Sequence, residues 1–249
     1  MHHAECFIVK KRPTGESDTL VTAYSDQFGL LTLMARGTRK GGSKLSPHVQ
    51  LFNRVAFSFV QGKKYHILTG CSVIDYFPDI RKNIIKHALA AYVMELVEKL
   101  ATEEKNDVLW SHIISVMARV VFGSFERIDV DKIMAEESAF FLALHGWTPR
   151  VDVCVVCKKT AVHISGFHLK EGGVVCSACA FEGAYVYTLT QGAGEALGPF
   201  FERNYTLLNG NREMLAEIRR ILEYFLEFMS SERINSKYFL LHTQENHIA

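Results

Sequence analysis

Four cysteines fall into two closely spaced pairs, Cys154-Val155-Val156-Cys157 and Cys176-Ser177-Ala178-Cys179, with eighteen residues between them. Two Cys-x-x-Cys knuckles at this separation can place four thiolates tetrahedrally around one ion, because each tight turn supplies two sulfurs. A pair of disulfides and four free thiols are the alternatives. The spacing predicts one Zn²⁺ held on a ribbon hairpin by four ligands: Cys154, Cys157, Cys176 and Cys179.

Cysteines that bind zinc are expected to be reduced, and an ion with four sulfur ligands is expected to be structural. The N-terminal segment 1–6 lacks a basic region followed by an apolar one, so we expect a reducing cytosol, where disulfides are rare. Four sulfurs fill a tetrahedral zinc and leave no position for an activated water, which predicts a structural ion. A zinc hydrolase would need an open position. No run approaches the roughly 18 apolar residues of a membrane span, so no membrane contact is expected.

The N-terminal quarter shows short apolar or alternating runs separated by turn signals, which is typical of closely spaced strands. Five short strands within about 75 residues suit a small closed barrel, since closure removes exposed sheet edges. We therefore predict an OB-type barrel over residues 1–77. Its predicted strands are Cys6–Lys11, Leu20–Ser25, Leu30–Arg36, Val55–Val60 and Tyr65–Ile74.

The pattern changes to helical spacing beyond Phe77-Pro78. Apolar residues recur at three- and four-residue intervals in segments near 89–100, 109–120 and 215–229, which predicts core-facing helices. A further helix is expected to start at an Asp129 or Asp131 cap and to stop at Gly146. The fold class is thus α+β. The expected division is a helical domain in two parts, 78–146 and 189–249, with the zinc element between them at 147–188.

Basic residues are concentrated at the start of the chain, where residues 1–64 hold ten Lys and Arg against four Asp and Glu. The loop Ala35–Leu45 carries four of these cations, three glycines and no acid. Glycines allow close approach to a phosphate that the cations neutralise, so the loop is typical of a nucleic-acid contact; a solvated mobile loop is the alternative. The predicted nucleic-acid contacts are Arg36, Arg39, Lys40 and Lys44, extended by Lys10, Lys11, Arg12, Lys63 and Lys64.

No nucleophile and base stand in a recognisable catalytic pattern. The eleven histidines form no HExxH motif, and the glycine loop is not a P-loop, because Gly42 is followed by Ser43-Lys44 rather than by Lys-Ser or Lys-Thr. The sequence therefore favours a binding protein over an enzyme.

Several short motifs occur in an order that resembles the bacterial RecO family of recombination-repair mediators over nearly the whole chain. The barrel motifs are Gly15-Glu16-Ser17-Asp18, Phe28-Gly29 and the segment from Ala35-Arg36-Gly37 to Ser43-Lys44-Leu45. The later motifs are Tyr76-Phe77-Pro78-x-x-Arg81, Ala90–Val97 and Leu142-x-x-His145-Gly146-Trp147-x-Pro149. One departure is Gly41-Gly42, where the family loop often carries Pro and more Arg.

The resemblance implies an OB-fold, a helical domain and a zinc element inserted between helices, without catalytic turnover. It implies binding of single- and double-stranded DNA, strand annealing, and work with RecR to load RecA onto DNA covered by single-strand-binding protein, in the bacterial cytoplasm at the nucleoid. By this likeness, DNA phosphates would contact Arg36, Arg39, Lys40 and Lys44, and zinc would bind the four paired cysteines.

Two expectations remain, one about a protein partner and one about an alternative function. The resemblance implies that the acidic C-terminal tail of single-strand-binding protein docks on the helical domain, where the candidate cations are Arg119, Arg127, Arg219 and Arg220. Such a tail ends in a carboxylate and an aromatic ring, so its pocket should pair a cation with an apolar hole. The alternative from another class is a zinc-ribbon accessory protein of translation or transcription whose barrel binds structured RNA.

Overall fold

The computed structural model describes residues 1–125, 127–161, 163–180, 185–208 and 210–240; the side chains of residues 127 and 128 are also outside the description. The strands are β1 (His2–Thr14), β2 (Asp18–Ser25), β3 (Gly29–Ala35), β4 (Arg54–Val60), β5 (His66–Asp75), β6 (Ile164–His168), β7 (Gly173–Cys176) and β8 (Val186–Thr188). The helices are α1 (Pro78–Lys82), α2 (Ile84–Leu100), α3 (Asp107–Phe122), α4 (Arg127–Leu144), α5 (Gln191–Phe201) and α6 (Arg212–Ser230).

The first five strands close into a barrel in the order β1-β2-β3-β5-β4. Every pairing is antiparallel except that of β3 with β5, which is parallel. This closed five-stranded arrangement confirms the predicted OB-type barrel.

Every second side chain along a strand points inward and fills the barrel interior. In β3, Leu31, Leu33 and Ala35 are buried and belong to the barrel core, whereas the intervening residues point outward. In β4, Phe57 and Phe59 fill the same core. Burying such aromatic and aliphatic side chains stabilises the barrel by about 1.5 to 3 kcal/mol each.

Strand β1 is long because it pairs with two neighbours in succession. Its first half, His2 to Phe7, pairs with β4, and the part from Cys6 to Thr14 pairs with β2. A register shift between Ile8 and Lys10 marks the change of direction. The bend at such a bulge allows one strand to serve both sides of the closed barrel.

The helices begin and end at identifiable side chains. Asn83 caps α2 and Asn106 caps α3, each accepting hydrogen bonds from backbone N–H groups of the first turn. Helix α4 ends at Leu144, and Gly146, with a φ of 72°, stops it as expected from the sequence. The N–H groups of Gly146 and Trp147 donate to the carbonyls of Ala143 and Leu142, which is a Schellman motif.

The expected cap of α4 at Asp129 or Asp131 is wrong. The helix begins at Arg127, so Asp129 lies within its first turn. Asp131 is buried and forms an ion pair with Arg219, 2.8 Å from the guanidinium Nε. Asp131 therefore serves as an ion-pair partner of the buried Arg219 guanidinium and not as a helix cap.

The chain divides into two compact units. Unit 1 comprises Met1–Ser124 together with the segment that starts at Ile234, and unit 2 comprises Phe125–Arg233. Unit 1 thus contains the barrel with α1, α2 and α3, and unit 2 contains α4, the three-stranded sheet, α5 and α6. The division expected from the sequence, with boundaries at 77, 146 and 188, stays a prediction, and its last part extends past residue 240, outside the described residues.

Unit 2 is built around a sheet in the order β7-β6-β8. Phe167 of β6 packs edge-on against Phe225 of α6, with ring centroids 5.2 Å apart. Gly194 lets α5 approach the sheet, because a Cβ there would lie 2.5 Å from a methyl carbon of Ile164.

Among the described residues, no helix combines the length and the apolar character needed to span a lipid bilayer.

Candidate functional site

The outer face of the barrel is formed by the outward residues of β1, β2 and β3. Directly paired residues in an antiparallel sheet point to the same side. Two ranks of paired residues therefore cross this face: Lys10–Thr22–Thr32 and Arg12–Leu20–Met34. The face of strands 2 and 3 is where OB barrels bind oligonucleotides, so the register brings Lys10 and Arg12 onto the surface expected to bind a nucleic acid.

The basic loop, Arg36–Lys44, leaves β3 at one end of this face and is fastened to the turn between β1 and β2. The Gly37 N–H donates to Asp18 Oδ1 at 2.8 Å, and the Arg39 N–H donates to the Ser17 carbonyl at 2.9 Å. The Thr38 hydroxyl donates to that of Thr19 at 2.7 Å. The loop therefore starts in a defined position, and four cations of the loop are exposed: Arg36, Arg39, Lys40 and Lys44.

The chain that follows the basic loop is fastened by Arg81 of α1. Its guanidinium donates to the Leu51 carbonyl at 2.7 Å and to Asn53 Oδ1 at 2.8 Å. The Gln50 amide donates to the Ser46 carbonyl at 2.6 Å. Both ends of the basic loop are thus held, and the glycines Gly41 and Gly42 lie in the part between the two anchors.

The remaining predicted cations have different surroundings. Lys10 forms an ion pair with Glu98 of α2 at 2.8 Å. Lys11 alternates to the opposite side and donates to Gln50 Oε1 at 3.0 Å; burial lowers its pKa, and so does the charge of Arg81. Lys63 and Lys64 are exposed in the turn before β5, which borders the outer face because β5 pairs with β3.

The other end of the outer face is covered by the loop between α2 and α3. The Leu30 N–H donates to the Thr102 carbonyl at 2.8 Å, and the Tyr24 hydroxyl donates to the Asn106 carbonyl at 3.3 Å. Tyr24 is completely buried and stacks on Trp110 of α3, with ring centroids 6.5 Å apart. This cover was not predicted from the sequence, although an aromatic residue in an outward position of β2 was a signal for it.

The four paired cysteines lie together in unit 2. Their Sγ atoms all lie within 4.8 Å of one another, and those of Cys157 and Cys176 are 3.9 Å apart. Four sulfurs about 2.3 Å from a tetrahedral ion would be about 3.8 Å from each other. The donor set and its spacing therefore fit a tetrahedral metal ion.

Each cysteine pair sits in a tight turn. In the first, the Lys158 N–H donates to the Cys154 carbonyl and the Cys154 N–H donates to the Lys159 carbonyl, both at 2.9 Å. Lys158 has a φ of 62°, a left-handed conformation usually reserved for Gly or Asn. In the second turn, the Cys179 N–H donates to the Cys176 carbonyl at 2.9 Å. The predicted ribbon is thus present, and its β6 and β7 strands pair between the two turns.

The thiols of this cluster influence one another's ionisation. Burial opposes ionisation of Cys154, but hydrogen bonds from the N–H groups of Cys176, Cys157 and Val156 outweigh it and lower the pKa to about 6. The pKa of Cys179 rises to about 12 because of partial burial and because of hydrogen bonds and charge from the other thiols. Four adjacent thiolates repel each other, so a bound cation is what allows all four to be ionised together.

A cleft of about 270 Å³ lies between β8 and α6 in unit 2. Tyr187 and Tyr224 line it with ring centroids 5.3 Å apart, and the exposed Arg220 lies beside them. Glu217 also lines it, but its carboxylate accepts hydrogen bonds from the N–H and hydroxyl of Thr190, at the start of α5. The cleft therefore pairs a cation with aromatic walls.

The other predicted tail-binding cations are less suited to this role. Arg219 is buried in ion pairs with Asp131 and Glu223, both at 2.8 Å. Arg119 lies on α3 in unit 1, and the side chain of Arg127 is outside the described residues. Arg220 is thus the candidate cation that lines a cleft.

Comparisons with known proteins identify the family. A family model described as Recombination protein O N terminal matches residues 1–77, and one described as Recombination protein O C terminal matches residues 138–237. A protein named DNA repair protein RecO from Syntrophus aciditrophicus is 30% identical over 225 residues, which are 89% of this chain and 83% of that relative. The chain belongs to the RecO family.

Other RecO relatives align over almost the full length. DNA repair protein RecO of Halalkalibacterium halodurans is 26% identical over 242 residues, covering 96% of this chain and 94% of the relative. That of Pelotomaculum thermopropionicum is 28% identical over 247 residues, covering 96% and 93%. The N-terminal RecO match contains the entire barrel, and the C-terminal match contains the four-cysteine cluster. The resemblance seen in the sequence is therefore confirmed, and the chain is placed among DNA repair proteins.

Proposed function

We propose that this protein is a non-enzymatic recombination mediator that binds single- and double-stranded DNA and anneals complementary strands. With RecR, it helps to load RecA onto DNA covered by single-strand-binding protein, in the bacterial cytoplasm at the nucleoid. Membership of the RecO family supports a role in DNA repair, and the arrangement of cations on the barrel supports DNA as the ligand.

The observation that carries the proposal is the fixed position of the basic loop beside the outer face. Because Gly37 and Arg39 are held by Asp18 and Ser17, the loop cations adjoin the rank that contains Arg12. A strand crossing the outer face meets Arg12 and the exposed loop cations together. Such a concentrated set binds phosphates without regard to base sequence.

Annealing follows from the same electrostatics. Two complementary strands repel each other through their phosphates, and this repulsion slows pairing. Cations that contact both strands neutralise part of that charge and hold the bases free to pair. No covalent step is needed, so we propose no catalytic residue.

We propose that the ion in the cysteine cluster is a single Zn²⁺ with a structural role. Cys154, Cys157, Cys176 and Cys179 would hold it, and a zinc with four thiolate ligands cross-links the two turns without activating a water. The chemistry of the donor set supports zinc, because thiolates at tetrahedral spacing favour it over Mg²⁺ or Ca²⁺.

We also propose the cleft beside Arg220 as the place where the acidic tail of single-strand-binding protein docks. The Arg220 guanidinium would pair with the terminal carboxylate, and the rings of Tyr187 and Tyr224 would contact the aromatic residue of the tail. A labelled tail peptide titrated against Arg220→Ala should bind more weakly than it binds to Arg212→Ala, an exposed control on the same helix. Equal binding by both variants would remove this assignment.

The test of DNA binding is fluorescence anisotropy of a labelled single strand over a range of salt. Wild type is compared with the triple variant Arg39→Ala, Lys40→Ala, Lys44→Ala, and with a control that replaces three exposed cations outside the barrel: Lys82, Arg203 and Arg212. The log-log salt slope is about −0.7 per phosphate neutralised on single strands, so the loop variant should be flatter by about two units. The control should keep the wild-type slope.

Two results would contradict the proposal. If loop variant and control behave alike, the basic loop does not contact DNA. If matched RNA and DNA oligonucleotides show much tighter binding to RNA, the alternative of an RNA-binding accessory protein is favoured, since such a protein uses the 2′-hydroxyl.

A further inference from the structure

The outer face of the barrel has two ends of opposite charge. One end carries the basic loop. At the other, the rank formed by Tyr24 and Leu30 is covered by the loop Ala101–Asn106, through the hydrogen bonds of Leu30 and Tyr24 to Thr102 and Asn106. In the two ranks between these ends, called the open ranks, Thr22, Thr32 and Met34 are partly exposed, whereas Leu20 is buried.

The approach of this covering loop to the barrel is very close. A Cβ at Gly29 would lie 2.4 Å from the Glu104 carbonyl oxygen and 2.6 Å from that of Thr102. Only glycine allows such contact between two backbones. The loop is therefore packed directly onto the start of β3.

The same loop is acidic. Glu103 and Glu104 are exposed, and the one cation of the loop, Lys105, forms an ion pair with Asp107 at 3.0 Å. The two glutamates thus carry negative charge at the edge of the open ranks. Neighbouring ranks are two residues, roughly 7 Å, apart along a strand, so DNA on the nearer open rank would pass about one Debye length from the covered rank.

We propose that Glu103 and Glu104 form an electrostatic boundary that confines a DNA strand to the two open ranks and to the basic loop. This inference rests on the proposed DNA-binding function. The strand crosses β3 and β2 along these ranks to Arg12. The cations on one flank attract its phosphates, and the carboxylates on the other flank repel them.

Neutralising the boundary should tighten DNA binding. At a Debye length of about 8 Å, two carboxylates near the strand weaken binding by a small factor, so Glu103→Gln with Glu104→Gln should raise the affinity for single-stranded DNA about threefold. The gain should disappear in high salt. Glu202→Gln with Glu213→Gln makes the same change in net charge at exposed sites in unit 2, and should change affinity much less.

Charge reversal gives a second, independent readout. With Glu103→Lys and Glu104→Lys, the strand can spread toward the covered end and gain two phosphate contacts, so the salt slope should steepen by about 1.4 units. The matched variant Glu202→Lys with Glu213→Lys should keep the wild-type slope. Thermal melts of all four variants confirm that each is folded.

The outcomes separate this inference from the proposed function. If wild type binds DNA through the basic loop but both variant pairs change affinity and slope alike, the boundary is refuted and DNA binding stands. If wild type shows no salt-dependent DNA binding, both fall together. A larger effect of the Glu103 and Glu104 variants on both measurements supports the boundary.

Discussion

The carboxylate of Asp18 accepts a hydrogen bond from the backbone N–H of Gly37 at 2.8 Å. Asp18 is the first residue of β2, and Gly37, with a φ of 66°, is the second residue of the basic loop. A hydrogen bond to a charged acceptor contributes about 1.5 to 3 kcal/mol. This contact therefore helps to hold the loop in one conformation where it leaves β3.

Loss of the Asp18 carboxylate should loosen the basic loop. Asp18→Ala removes the acceptor, so limited trypsin digestion at the loop cations should be up to about tenfold faster than in wild type. Asp18→Asn keeps an uncharged acceptor and should fall between the two. Equal digestion rates in all three proteins would mean that Asp18 does not order the loop.

Gly29 and Gly15 form a matched pair for measuring backbone contact. Both have positive φ, 66° and 54°, but an added Cβ would meet another segment at Gly29, whereas nothing lies within 4 Å of a Cβ at Gly15. Gly15→Ala should cost about 1 kcal/mol of unfolding free energy from conformation alone. Gly29→Ala should cost about 2 to 3 kcal/mol more, because the loop must move. Urea unfolding measures both, and similar losses would contradict the close packing of the loop.

Removal of one thiolate should release the metal. We expect one zinc per chain by atomic emission, and less than a tenth of that after Cys154→Ser. In small zinc fingers, metal binding contributes an apparent 10 to 16 kcal/mol, so unit 2 should also become sensitive to proteases. Cys71→Ser is the control, since Cys71 lies in the barrel, and it should keep the full zinc content. Equal zinc content in the two variants would refute the assignment.

Arg219 should matter far more for stability than its neighbour. Arg219→Met leaves the buried carboxylates of Asp131 and Glu223 without their guanidinium partner, which should cost about 3 to 5 kcal/mol. Arg220→Met alters an exposed side chain and should change stability by about 0.5 kcal/mol or less. Chemical denaturation compares the two. A small loss in Arg219→Met would show that the buried ion pairs are dispensable.

Glu95 should make stability depend on pH. Burial opposes its ionisation, but hydrogen bonds from the N–H groups of Asn235 and Ser236, together with the charge of Lys99, lower its pKa below the ordinary 4.5. Its contribution is therefore complete above pH 4.5 and is lost as pH falls through the lower, folded-state pKa.

The corresponding experiment compares wild type with Glu95→Gln in urea. Wild type should be more stable by about 1 kcal/mol at pH 7, and this difference should shrink below pH 4.5. Glu98→Gln, which affects an exposed ion pair with Lys10, serves as the control. A difference for Glu95→Gln that is constant from pH 7 to pH 3 would contradict the lowered pKa.

Local patterns in the sequence were sufficient for the barrel and for the cysteine cluster. Each predicted strand overlaps an observed one, because successive residues of a barrel strand face the core and the solvent in turn and so produce an alternating apolar pattern. The full length of β1 was missed, since the run Lys10-Lys11-Arg12 lacks apolar residues even though it pairs with β2. The knuckle spacing predicted the four sulfurs because both turns are local structures.

Helix α5 and the loop over Tyr24 and Gly29 were not predicted, because both depend on long-range packing. Helix α5 buries apolar residues at helical spacing, but Pro199 and three glycines disfavour a helix locally. One of these glycines, Gly194, permits contact with Ile164. The cover over Tyr24 and Gly29 joins segments more than seventy residues apart. Neither feature follows from local preference, because each depends on which surface the folded chain presents to that segment.

Because the chain returns to unit 1 after unit 2, unit 1 is the later of the two to be completed during synthesis. The N–H groups that bind Glu95 belong to Asn235 and Ser236, which the ribosome makes only after all of Phe125–Arg233. Unit 1 therefore lacks the hydrogen bonds from Asn235 and Ser236 while unit 2 is being synthesised. The four clustered thiols of unit 2 leave the ribosomal exit tunnel during that time. Metal capture by the nascent chain can thus precede completion of the unit that contains the barrel.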